Sequence, residues 1–184
     1  MKNRFSPPVR ALTFSAVCLA LCLVLPFVTG QLPRLGKIFS PMHLPALLCG
    51  FLCGPWWAAA VGLIAPLLRG ALFHAPVIYP TGVVMSAELC CYGLCSGLLY
   101  RRLPQKPSSR YLTLLAAMLA GRIVWGAMRA LLSGVSGQPF SWALFFAGAF
   151  TNALPGIAVE FLLLPPLVSL LERAGLTALR GGTK

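Results

Sequence analysis

Long uncharged apolar runs constrain this chain more than any other feature. They lie at about residues 10–29, 42–54, 56–73, 81–100, 111–133 and 141–171, separated by connectors rich in Pro, Gly and basic residues. About 20 apolar residues is the length an α-helix needs to cross the ~30 Å hydrocarbon core of a bilayer. The pattern predicts an all-α integral membrane protein of six transmembrane helices, forming a single membrane domain over residues 1–184. Segment 42–54 rises only about 20 Å. It reads either as a short or bent second helix or as one long helix with 56–73, broken at Gly54-Pro55.

Charge decides between five helices and six. With six, and with both termini cytoplasmic, the inner parts hold Lys2, Arg4 and Arg10, then Arg101, Arg102, Lys106 and Arg110, then Arg173, Arg180 and Lys184. The outer loops hold only Arg34 and Lys37. Five helices would turn the Arg101–Arg110 loop outward, against the positive-inside rule. The first run follows a basic start, but Ala11 to Val28 is long for a signal-peptide core and "PFVTG" is a poor cleavage site, so it reads as a retained helix.

The chain is 58% hydrophobic and 10% charged, which excludes an ordinary soluble domain. Its net charge of +12 would suit nucleic acid, but the basic residues cluster between apolar runs instead of forming a stripe with interleaved aromatics, so no nucleic-acid partner is expected. The seven cysteines, at 18, 22, 49, 53, 90, 91 and 95, fall within helical runs at spacings unlike those of zinc or redox pairs. They read as small packing residues, as do the GxxxG spacings Gly50–Gly54 and Gly93–Gly97. HExxH, GxSxG and P-loop patterns are absent, and His43 and His74 belong to different segments. No enzyme, cofactor or metal site is therefore expected. With no nucleotide site, uphill transport would draw on a partner or an ion gradient.

Polar residues inside apolar runs carry the remaining information, because an arginine near the bilayer centre costs about 2.5–3.5 kcal/mol on insertion scales. In "GRIVWGAMR", seven residues separate Arg122 from Arg129, so both fall on one helix face with Trp125. Counting from the outer helix ends places Arg69, Glu88, Arg122, Arg129 and Asn152 in one zone, from the outer half to the middle of the membrane. Glu160 is expected deeper, beyond a break at Pro155-Gly156. Three arginines against Glu88 leave spare positive charge, which an anionic ligand would use. Arg122 is expected to be held by Glu88, and Arg129 with Arg69 to meet the ligand's carboxylate or phosphate beside the flat wall of Trp125. The loops "TGQLPRLGKIFSP" and "FHAPVIYPTG", the latter with His74 and Tyr79, read as walls and lid.

The segment "SPMHLPALLCGFLCGPWWAAAVGLIAPLLRG", the run "GRIVWG" and the ending "LPGIAVEFLLLPPLV", in that order within six helices, resemble the substrate-binding S component of an energy-coupling factor (ECF) transporter over roughly residues 10–172. The resemblance implies a protein of the bacterial cytoplasmic membrane that binds a vitamin or related micronutrient from outside. It further implies docking on a transmembrane T component driven by two cytoplasmic ATPase subunits. S components carry an AxxxA docking motif on the first helix, which Ala16-Val-Cys-Leu-Ala20 fits. The metal-transporting branch places a histidine after the initiator Met, where this chain has Lys2, which argues against nickel or cobalt. A stand-alone ion-coupled transporter or channel, with Glu88 and Glu160 as carriers, is the alternative reading. A membrane-embedded enzyme or assembly factor is a third, without motif support.

Overall fold

The computed structural model describes residues 7–28, 41–104, 106–135 and 154–176. Its helices are α1 (Pro7–Val28), α2 (His43–Cys53), α3 (Pro55–Phe73), α4 (Val83–Arg102), α5 (Pro107–Val135) and α6 (Leu154–Arg173), with one wide turn, Ile78–Gly82, leading into α4. Five of these helical stretches are long and apolar enough to cross a membrane, and α2 is shorter. The choice at Gly54-Pro55 resolves into two helices. Gly54 has φ 98°, a conformation L-residues rarely adopt. Pro55 then opens α3, where its missing N–H costs nothing.

Close contacts fix the helix directions. Cys22 donates to the Met42 carbonyl and Cys49 to Ser15 Oγ, so α1 and α2 run antiparallel. Arg69 donates to the Leu23 carbonyl and Phe73 meets Phe27 edge-on at 4.9 Å, so α1 and α3 run parallel. Gly62 lies against the Leu89 backbone, Gly93 against Ala58 and Gly97 against Pro55, so α3 and α4 run antiparallel. A Cβ on Gly93 would come within 2.5 Å of the Ala58 carbonyl oxygen, so the helices approach to backbone contact there, as a small-residue seam permits. Arg110 bonds Ser169 and Glu172, joining the start of α5 to the end of α6. Helices α1, α3 and α5 thus point one way and α2, α4 and α6 the other.

The centre of the bundle is α4, which packs on α2, α3 and α5 and has no exposed residue between Val83 and Tyr100. One end of the bundle is basic, with Arg10, Arg101, Arg102, Lys106, Arg110 and Arg173. Arg10 there caps the Gly175 carbonyl at 2.6 Å. The opposite end carries Phe27, Phe73, His74 and Tyr79. The first residue of α2, His43, lies level with Glu88 and Tyr92 rather than at that end. Eleven residues rise about 16 Å, so α2 runs from the middle of the bundle to its basic end.

Five of the six expected segments meet helices at nearly the expected places. The sixth segment is the difference: the described helix begins at Leu154, and residues 141–153 lie outside the described residues. Pro155 occupies the first turn of the described α6, where a missing N–H is tolerated, and residues 141–153, ahead of the expected break, lie outside the described residues. The positive-inside bias predicts the orientation. In a background without the seven native cysteines, an impermeant maleimide added to intact cells should label Val77→Cys and spare Lys106→Cys. Labelling at 106 instead would reverse the topology.

Candidate functional site

The middle of the bundle holds a buried polar cluster. Glu88 lies on α4, 1% exposed. Its Oε1 accepts the Tyr92 hydroxyl at 3.0 Å from one turn below and lies 3.2 Å from Arg122 Nη1 on α5. Its Oε2 lies 3.6 Å from His43 Nε2 at the start of α2. The His43 ring meets Tyr92 at 5.4 Å between centroids. Gly121 makes room for this arrangement, since a Cβ there would fall 2.0 Å from the Tyr92 ring. The ion pair between Glu88 and Arg122 is thus present, as the sequence predicts.

Glu160 on α6 joins the same group. It is 2% exposed and interacts electrostatically with His43, Arg122 and Glu88. The sequence reading put it deeper because depth was counted from Ser141. Glu160 nevertheless stands close enough to His43, Arg122 and Glu88 to interact with all three. His43 and Tyr92 are also members that the sequence reading missed. Tyr92 had a visible signal, the i, i+4 spacing from Glu88. His43 had a weaker one, the shortness of α2, which moves its first residue away from the membrane surface.

Several polar atoms here are left without partners. Neither ring nitrogen of His43 has a hydrogen bond, nor do Arg122 Nε and Ser86 Oγ on α4. Among the described residues, no group of three His, Cys, Asp or Glu side chains is placed to hold a metal ion.

The three arginines are not pooled, which corrects the expected surplus of positive charge in one zone. Arg69 is 3% exposed, bonded to the Leu23 carbonyl, with its guanidinium 4.9 Å from the Phe27 ring centroid and 5.4 Å from that of Phe73. It belongs to the packing of α3 on α1. Arg129 is exposed on α5, over Trp125 at 5.7 Å. It stands two turns from Arg122, about 10 Å nearer the end opposite the basic one. Helices α3 and α5 each pack extensively on α4 and not on one another, so Arg69 and Arg129 are not brought together. His74, in the left-handed conformation that ends α3, and Tyr79 are exposed at the rim of that same end. Asn152 and Trp142 lie outside the described residues. Ala16 and Ala20 are both exposed on α1, within an apolar face that includes Leu12, Val17 and Val24.

An all-helical membrane bundle with charged groups enclosed at mid-depth and an exposed cation above them has the plan of a small-solute transport protein, since intramembrane charge is costly unless it serves the solute's path. The family model of the ECF transporter substrate-specific component matches residues 10–168. The chain belongs to that family. No curated protein and no solved structure matched it.

Proposed function

We propose that this chain is the S component of an ECF-type importer that binds a vitamin or related micronutrient at the outer face and holds it by an anionic group. The observation that carries the reading is the pairing of an exposed Arg129, stacked on Trp125, with a buried polar cluster two helical turns below it. Arg129 offers a charge-assisted, bidentate contact to a carboxylate or phosphate, and Trp125 a flat apolar wall for the rest of the molecule. The half-length α2 leaves its N-terminus facing the same space, with no side-chain cap from Met42. His74 and Tyr79 form part of the rim. Arg69 is assigned to packing, because its guanidinium is already bonded and stacked. Docking on the T component, powered by two ATPase subunits, falls to the Ala16/Ala20 face.

The reading is tested by releasing small molecules from the purified protein and identifying them by mass spectrometry. An anionic micronutrient is expected. Arg129→Ala should weaken its binding by about 1.5–3 kcal/mol, roughly 10- to 150-fold, with folding retained, because one hydrogen bond between charged groups is lost. A cationic cargo, or unchanged affinity in Arg129→Ala, would remove the anion contact from the reading.

A further inference from the structure

The geometry points to a ligand with two opposite poles: a basic nitrogen group, such as a protonated amine or an amino-substituted ring, held at the buried base by Glu160 with His43, and an acidic group held above it by Arg129. This deepens the proposed function and rests on it.

The argument begins with charge. The buried group contains two carboxylates, Glu88 and Glu160, and one permanent cation, Arg122. Arg122 stands 3.2 Å from Glu88, which also receives the Tyr92 hydroxyl. Glu160 is equally buried, yet among the described residues it has no ion pair and no hydrogen bond. A carboxylate in that position lacks the solvent that would stabilise it and needs a donor. Arg129 cannot supply it, being about 10 Å away along α5. The deep end therefore offers an acceptor, Glu160, with no hydrogen-bond donor on it among the described residues, whereas the mouth offers a donor, Arg129.

A second observation concerns His43, whose Nε2 stands 3.6 Å from Glu88 Oε2. His43 is 5% exposed, and both of its ring nitrogens lack a hydrogen bond. It opens α2 at mid-bundle, so the ring stands at a helix start with no side-chain cap, beside Glu88. Arg122 Nε is also unbonded. Buried groups of this kind are normally satisfied. A ring or amine carrying both donor and acceptor positions would satisfy Glu160 and His43 together, whereas a second carboxylate would meet Glu160 with like charge. With a base that selects a donor-rich cation and a mouth that selects an anion, pole separation becomes a measure of fit, at about 10 Å from the spacing of Arg122 and Arg129.

The test uses the full-length protein in lipid nanodiscs. Compounds retained through purification are identified by mass spectrometry in the parent, Glu160→Gln and Arg129→Ala. Thermal stabilisation is then measured with two bipolar probes, thiamine monophosphate and folate, each beside a fragment missing one pole: thiamine without the phosphate, and benzoylglutamate without the amino-substituted pterin ring. The expected result is a retained compound or stabilising probe with both poles, and at least a tenfold loss of binding in each variant. His43→Gln should give a similar loss and serves if Glu160→Gln fails to fold. A tight ligand that is purely acidic, or full retention in Glu160→Gln or His43→Gln, would overturn the two-pole assignment and leave the importer reading standing. No retained compound together with no stabilisation by any probe would count against both.

Discussion

Arg122→Ala is expected to destabilise the bundle by about 3–5 kcal/mol, because it leaves a buried carboxylate without its counter-ion. Glu88 is 1% exposed, so water cannot take the place of the guanidinium. The remaining partners are the Tyr92 hydroxyl at 3.0 Å and His43 at 3.6 Å, and neither carries a permanent charge. The test is a double-mutant comparison of thermal unfolding in detergent. Glu88→Gln in the Arg122→Ala background should recover much of the loss, since the amide keeps an acceptor for Tyr92 without a charge to neutralise. A melting temperature of Arg122→Ala within about 2 °C of the parent, or no recovery in the double variant, would show that Glu88 does not depend on Arg122.

Ala16→Trp or Ala20→Trp should abolish copurification with the T component while leaving retained ligand unchanged. Both alanines are exposed, one turn apart on α1, and make a shallow notch in an otherwise bulky apolar face. Small residues at that spacing let a partner helix approach closely, and an indole fills the notch. The neighbouring Ser15 lies level with Cys49, in the half of the bundle nearer the basic end, so the added bulk is remote from Arg129. Both variants are compared with Leu12→Trp, a bulky exchange on the same exposed face that sits outside the notch. Normal complexes with both alanine variants would reject the docking face. Loss in all three would assign the effect to the whole apolar face.

The membrane character and the helical segments were legible because hydrocarbon demands runs of a set length. The Glu88–Arg122 pair was legible for a related reason: two opposite charges at one depth in adjacent helices have few alternatives to meeting. The GxxxG seams were legible as close approaches, and the structure adds which backbones meet, Gly93 on Ala58 and Gly97 on Pro55. Depth was harder. It depends on where a helix begins and how it lies against its neighbours, and an apolar run such as 141–171 marks neither, so the sequence alone separates Glu160 from the group it joins. His43 could not be joined to the cluster from sequence, because a short apolar segment does not reveal which half of the bundle it occupies. The pooling of arginines failed for another reason: depth alone does not give the direction of a side chain, and Arg69 turns toward Phe27 and Phe73, into the packing of α3 on α1.

The enclosure of α4 has a consequence for synthesis. Chains emerge N-terminus first, so Glu88 reaches the bilayer before Arg122 does. At that moment its available partners are those already in the chain or one turn away: His43 on the preceding α2 and then Tyr92 on α4 itself. A helix with no fully exposed residue between Val83 and Tyr100 in the finished protein must first enter the membrane beside only α1, α2 and α3. The backbone seam with α3 gives it a surface to enter against. His43 and Tyr92 therefore have a place in assembly order as well as in the final cluster: they hold the carboxylate until the arginine arrives.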